Sequence, residues 1–499
     1  MTQELVVTWF RTPTIRRPSA ALAVTRGNVA HTILGGDDGF ILIEHRWVFS
    51  RSYLPQLSST MKLRFIVPAL AALPVSNALN FTSSIWSLVT QFLSPAVPMT
   101  PEIIETFKQP IAVDLLRNAY ITRSGSSLIL NGSPWTTYGA NVYWLGLDEN
   151  VIPPPGQPFY APYNASYPTF GRITEIMNTL QTMGARTIRG HTLGVSVGNP
   201  LSVMPERRDV NERAFDTMDW AVYQARQHGL RIFAPLVDNY DYYHGGKFVF
   251  LRWGGFNLTG SDSTNPEVMQ FYTNQTIIDD FKNYIKVILT HKNQFTGLTY
   301  AEDPTIFAYE TGNELGGPTF GDMWVPVKWT TQIADYIKEL APNKLVIDGT
   351  YGVNKTHLTI TSIDIFSDHF YPPDLTKVLN DIALVKSINK VYIAGEYDWT
   401  GNNPLAAPLP EFFSTIEANP VVGGDMFWSL FMHDVPDCDI YVNHTDGLTM
   451  QYGNPLNTVQ ANTQIAEMRQ HFFRMKGQNE SAYLPSVACP GYEAEYTYW

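Results

Sequence analysis

Two glutamates close short apolar runs in this chain. Glu314 ends Thr305-Ile306-Phe307-Ala308-Tyr309-Glu310-Thr311-Gly312-Asn313-Glu314, and Glu396 ends Val391-Tyr392-Ile393-Ala394-Gly395-Glu396. A carboxylate placed where a buried strand surfaces is open to pKa tuning by its surroundings. Two such groups can divide the work of glycoside hydrolysis, one protonating the leaving oxygen and the other attacking the sugar carbon. A lone glutamate at a strand end is more simply a solvated terminus, so the remaining residues must decide. Glu310, Asp348 and Asp398 are rival carboxylates; Glu310 sits deeper in its run and has no Asn directly before it.

The elements that would carry these residues follow a rhythm. Short β-branched or aromatic runs occur at 135–143, 187–191, 231–237, 305–314, 344–348, 363–371, 390–396 and 424–429. Segments of helical period separate them: Phe215, Met218, Val222 and Ala225 share one face, as do Ile277, Phe281, Ile285 and Ile288. Further helices are expected at 325–340, 375–388, 410–418 and 461–473, and Gly184 and Gly229 stand where glycines end helices. This alternation predicts an α/β fold, a (β/α)8 TIM barrel forming a single catalytic domain over 119–478. A doubly wound sheet is the alternative, but no GxGxxG follows an early strand. In a barrel the C-terminal strand ends face the active site, and the two glutamates fall on the fourth and seventh strands.

Composition narrows the partner. The chain has 499 residues, 44% of them hydrophobic, and 34 basic against 46 acidic side chains give a net charge of −12. That balance argues against nucleic acid or an anionic membrane and fits a neutral ligand. Aromatic residues make up 13% of the chain and can stack on sugar rings, although core packing explains any single ring as well. Met61-Lys62-Leu63-Arg64, the apolar stretch 65–75 and Ser76-Asn77-Ala78 have the three parts of a signal peptide. Residues 1–60 then read as a mis-assigned or disordered extension, 61–78 as the leader, 79–118 as a proline-broken lead-in and 479–499 as a tail. Sequons at Asn80, Asn131, Asn164, Asn257, Asn274, Asn354, Asn443 and Asn479 agree with a secreted glycoprotein, without a membrane role after leader cleavage. Cys438 and Cys489 are expected to form one disulfide between the tail and the loop after the last strand. No CxxC or clustered Cys/His spacing calls for zinc.

The order of polar residues resembles glycoside hydrolase family 5, in the clan of barrels with catalytic glutamates on strands four and seven, and most resembles its endo-β-1,4-mannanases. The likeness runs from about Ile121 to Met475. It is carried by Leu130-Asn131-Gly132-Ser133-Pro134, Gly139-Ala140-Asn141-Val142-Tyr143-Trp144, Phe271-Tyr272-Thr273, Asp303-Pro304-Thr305-Ile306, Asn313-Glu314 and Gly424-Asp425-Met426-Phe427-Trp428. The resemblance implies Glu314 as acid/base, protonated at rest, and Glu396 as nucleophile. It implies that Asn313 binds the sugar 2-OH, that Arg189 keeps Glu396 ionised and that Tyr371 donates to the same carboxylate. His369 would order this network or touch sugar, Trp428 would be the platform under the sugar before the cut, and Trp144 would support the substrate. It implies no metal or organic cofactor. The expected substrate is a neutral plant polysaccharide, mannan, glucomannan or galactomannan, cut internally with retention by a monomeric enzyme. Leu315-Gly316-Gly317 replaces the Pro-Arg usual after Asn-Glu, which bears on the leaving-group side. The Asn239-Tyr240-Asp241-Tyr242-Tyr243-His244 loop and Trp253 are candidate groove residues. Another retaining β-glycosidase (an exo-β-mannosidase, with residues 148–167 blocking the groove, or a β-1,4-glucanase) stays open, as does a non-catalytic sugar-binding barrel.

Overall fold

The computed structural model describes residues 118–149, 165–317, 324–444 and 446–490, with the backbone of five strands between residues 2 and 65. Two compact units divide the chain, Met1–Ile104 and Glu105–Trp499. In the first, strands Thr2–Phe10, Leu22–Arg26, Val29–Gly36, Gly39–Val48 and Lys62–Phe65 form one sheet. The expected extension over 1–60, the leader over 61–78 and the lead-in over 79–118 otherwise lie outside the described residues, apart from Asn118. So do Asn80 and Asn164.

The second unit is a closed barrel of eight parallel strands, each paired with the next in sequence and the last with the first. They are β1 (Thr137–Asn141), β2 (Thr187–Arg189), β3 (Arg231–Pro235), β4 (Ile306–Glu310), β5 (Leu345–Asp348), β6 (Ile365–Phe370), β7 (Val391–Asp398) and β8 (Val422–Trp428). Each lies within or overlaps an expected run. The helices that flank the strands are α1 (Phe170–Met183), α2 (Phe215–Gln227), α3 (Gln275–Thr290), α4 (Val327–Leu340), α5 (Leu375–Ser387), α6 (Leu409–Glu417) and α7 (Val459–Arg474), with short helices Lys247–Trp253 and Gln270–Thr273 before α3. The repeat departs from βα regularity once: only a 3-10 turn, Lys355–Thr359, links β5 to β6.

Helix faces match their apolar spacing. Phe215, Met218, Val222 and Ala225 are buried on α2, and Ile277, Phe281, Ile285 and Ile288 on α3. Inside the barrel, Phe233, Phe307, Ile347, Ile365, Ile393 and Met426 form a separate apolar cluster. Ile121, Leu128 and Trp135 of a three-stranded hairpin sheet join it, so the first expected run, 135–143, is split between this sheet and β1. Burying each such side chain contributes roughly 1.5–3 kcal/mol. The stopper leaves only the opposite mouth, at the C-terminal strand ends, for ligands.

Closure of the barrel rests on a glycine. A Cβ on Gly424 would lie 1.2 Å from the Thr137 carbonyl oxygen across the β8–β1 seam. Beyond the barrel, Cys438 and Cys489 are joined as expected, tying strand Asp437–Tyr441 to the C-terminal tail. No helix among the described residues is long and apolar enough to cross a membrane.

Candidate active site

Arg189, the last residue of β2, lies fully buried at the centre of the barrel mouth. A buried guanidinium requires partners for its charge and its donors. Its Nη1 donates to Glu396 Oε1 at 2.6 Å and to Asn141 Oδ1 at 3.1 Å. Its Nε and Nη2 reach Glu310 Oε2 at 2.9 and 2.8 Å, and Nη2 donates to Asn313 Oδ1 at 2.8 Å. One cation thus serves two carboxylates. Glu310 faces the same interior as Glu396 but is spent on Arg189. The other rivals are engaged elsewhere: Asp348 pairs with His357 at 2.9 Å, and Asp398 accepts from the Thr400 backbone at 2.7 Å.

Glu396 lies where β7 departs from regular pairing. The registers with β6 and with β8 both shift here, bringing His369 opposite Glu396. Bulges of this kind re-aim a side chain. Gly395 allows the close approach, since a Cβ there would sit 2.2 Å from Ser367 Oγ. Glu396 Oε2 accepts from the Tyr371 hydroxyl at 2.7 Å, and His369 Nδ1 is 3.5 Å away.

Glu314 is not on a strand. It lies four residues past β4 with φ 51°, in the left-handed region that costs a non-glycine residue about 1 kcal/mol or more. Neighbouring backbone holds it there: Asn313 bridges to Asp238 and Leu315 to Thr350, while Asn239 Nδ2 donates to the Glu314 carbonyl at 2.6 Å. Its carboxylate is gripped at both oxygens, by His369 Nδ1 at 2.7 Å and by the Tyr240 hydroxyl at 2.8 Å. One carboxylate oxygen of Glu314, one of Glu396 and a ring nitrogen of His369 lie within 4.8 Å of one another. A divalent cation is poorly served there, because all four carboxylate oxygens already take protein hydrogen bonds and Arg189 sits alongside.

Electrostatics at the mouth run against expectation on both glutamates, with Glu396 pushed up and Glu314 pulled down. Burial pushes Glu396 and Glu310 upward, against the opposing pull of His369 and Arg189 on the first and of Arg189 on the second. Burial acts on Glu314 too, but the hydrogen bond and charge of His369, with help from Tyr240, outweigh it and pull Glu314 down. His369 is held up against burial by Glu396 and Glu314. Both shifts favour a charged His369–Glu314 pair over the proton expected on Glu314. Nearby His191 is kept neutral by burial and by Arg189.

Trp428 ends β8 with its ring stacked on Tyr143, centroids 5.0 Å apart and planes within 6°, and with the edge of His191 at 5.5 Å. Glu314, Glu396, Arg189, Asn313, His369, Tyr371 and Trp428 are thus brought together. Trp144 is not among them. It is 1% exposed, its indole donates to the Leu430 carbonyl and Arg172 covers its ring at 4.3 Å. Its neighbour Tyr143 reaches the site instead. Trp253 also turns inward, edge-on to Phe250 at 5.2 Å. The 239–244 loop does reach the mouth, through Tyr240 on Glu314 and Tyr242 stacked on Tyr240. Sequence reasoning missed Asn141, His191, Asp238 and the Glu149–His444–Asp446 group; Asn141 ends β1, His191 and Asp238 lie within three residues of strand ends, and the group sits in loops that no local pattern marks. Of residues 148–167, only the short pair Asp148–Glu149 and Ala165–Ser166 and their immediate neighbours are described.

A family model described as GH family 5 beta-mannosidase-like matches residues 118–375. The matched span holds Glu314, His369 and Tyr371 and stops short of Glu396 and Trp428. The chain is 32% identical over 236 residues to mannan endo-1,4-beta-mannosidase 2 of Oryza sativa subsp. japonica, covering 47% of this chain and 48% of that protein. It is 28% identical over 285 residues to mannan endo-1,4-beta-mannosidase 5 of Arabidopsis thaliana, covering 51% of this chain and 59% of that one. The chain spans about half the length of these relatives. In fold it is similar to the solved endo-1,4-beta-mannanase of Rhizomucor miehei, with a TM-score of 0.56 and 21% identity over 72% of this chain and all of that one.

Proposed function

The chain belongs to the beta-mannosidase-like group of glycoside hydrolase family 5, and on that premise we propose that it hydrolyses β-1,4-mannans internally with retention of configuration. The observation that carries this reading is the approach of Glu314 and Glu396 within 4.8 Å at their nearest oxygens, beside one shared histidine. Retaining hydrolysis needs carboxyl groups about 5–5.5 Å apart, whereas inversion needs roughly 6.5–9.5 Å to admit a water.

Each residue then has a task. Glu396, oriented by Arg189 and Tyr371, attacks the anomeric carbon as the glycosidic bond breaks, forming a glycosyl-enzyme. Glu314 gives its proton to the departing oxygen, then takes one from the water that releases the sugar. His369 is the store from which Glu314 draws. A neutral glycan entering the mouth expels water, which disfavours the His369–Glu314 ion pair and moves the proton onto the carboxylate. Asn313, oriented by Arg189 and Asp238, addresses the sugar 2-OH, and Trp428 supports the ring. Secretion as a glycoprotein is part of the same proposal, supported by the sequons and the disulfide.

Product analysis tests it. Glucomannan, galactomannan and carboxymethylcellulose are incubated with the enzyme in parallel. Mixed manno-oligosaccharides from the mannans alone are expected. Mannose alone would replace endo with exo action, and glucan products would move the substrate class.

A further inference from the structure

Trp428 is gripped by more than the ring of Tyr143. Its indole Nε1 donates to Asp446 Oδ2 at 2.8 Å. The same oxygen lies 3.1 Å from His444 Nδ1, and His444 Nε2 lies 2.7 Å from Glu149 Oε1. The Tyr143 hydroxyl donates to Glu149 Oε1, and the Tyr143 ring stacks flat on Trp428. These five residues close a cycle that holds the indole at its edge and on its face. They come from the segment after β1 and from the end of β8 with the segment after it, which meet across the barrel seam. The imidazole of His444 is itself seated on Phe431, with planes within 7°. Burying His444 between two carboxylates makes sense only if the trio is kept paired.

We propose that Asp446 and His444, anchored through Glu149, form a clamp that sets the tilt of the Trp428 ring, and thereby the seat of the sugar in the subsite where the bond is cut. The inference rests on the mannanase reading for the identity of that sugar, but not for the clamp. Asp446 and His444 are positioning residues, since neither reaches the carboxylates that do the chemistry. A ring held at the right tilt orients the sugar for attack, so loosening it should slow turnover more than binding.

The test compares Asp446→Leu, which removes the acceptor, with Asp446→Asn, which keeps an oxygen for the indole. The Trp428 indole N–H resonance, identified by its loss in Trp428→Phe, is followed by NMR in 15N-tryptophan-labelled full-length protein. Kinetics are measured on mannohexaose. In Asp446→Leu the resonance should move upfield and kcat should fall about tenfold or more with KM within about twofold, as expected for lost orientation. Asp446→Asn should recover most of both. An unmoved resonance in Asp446→Leu, or equal losses in the two variants, would overturn the clamp. If Asp446→Leu does not fold, Glu149→Gln takes its place, and an unmoved resonance there overturns it equally. No product from wild-type enzyme would sink the mannanase reading, while the resonance would still decide the clamp.

Discussion

His369 and Glu314 meet at 2.7 Å, and His369 also stands 3.5 Å from Glu396, so one imidazole touches both carboxylates that the proposed reaction needs. The pair His369–Glu314 holds one proton between them. Its basic limb is set by the raised His369, above the ordinary histidine value of about 6.5. In His369→Asn the proton must sit on Glu314 alone, without the imidazole's higher affinity. The basic limb of the kcat/KM profile should therefore move to lower pH. A profile unchanged in that variant would remove His369 as the proton store.

Glu396→Ala should lower kcat by about 10⁴-fold or more, on the scale of losing a nucleophile. Folding should survive, because Arg189 keeps its bonds to Glu310. Azide distinguishes the two glutamates. With an activated aryl mannoside, Glu396→Ala should yield an α-configured mannosyl azide by direct attack. Glu314→Ala should yield the β-azide by attack on the glycosyl-enzyme. Exchange of those two outcomes would exchange the roles.

His444 should make stability pH-dependent. Its partners Asp446 and Glu149 push it up to about 9 despite burial. A raised histidine contributes fully below its unfolded value, near 6.5, and the contribution fades as pH rises through 9. The size is on the order of 3 kcal/mol. Urea unfolding of wild type and His444→Gln should differ by that amount at pH 6 and converge near pH 10. A constant gap would mean that packing on Phe431, not charge, is what the histidine supplies.

Gly424→Ala should prevent closure of the barrel, because the new methyl would occupy the space of the Thr137 carbonyl oxygen. The two nearest atoms are backbone, the Thr137 carbonyl oxygen and carbon, and cannot move aside. A loss exceeding about 4 kcal/mol is expected, placing it among the severe substitutions. Soluble expression and far-UV circular dichroism read the outcome; near-native melting would show that the seam can open.

Most of the barrel was legible because its strands are short apolar runs between helices of clear 3.6 period, as at Ile277, Phe281, Ile285 and Ile288. Glu314 and Glu396 were legible because each ends such a run. What periodicity cannot show is which way a loop turns. Trp144 and Tyr143 are adjacent, and nothing in their types says that the tyrosine faces the mouth while the tryptophan is buried under Arg172. Tyr240 was visible only as one aromatic among several. Glu149 lies nearly 300 residues from His444 and Asp446, and only the β8–β1 seam makes them neighbours. The downward pull on Glu314 was not legible, because the imidazole that faces it comes from a distant strand.

The disulfide between Cys438 and Cys489 spans 51 residues. Closing a loop of that size removes about 4 kcal/mol of freedom from the unfolded chain in the entropic account. His444 and Asp446 lie inside the ring, while both glutamates lie outside it. Vectorial synthesis therefore delivers the two halves of the site at different times. A nascent chain can present both carboxylates on a nearly finished barrel while the segment that steadies Trp428 still awaits oxidation of its last cysteine.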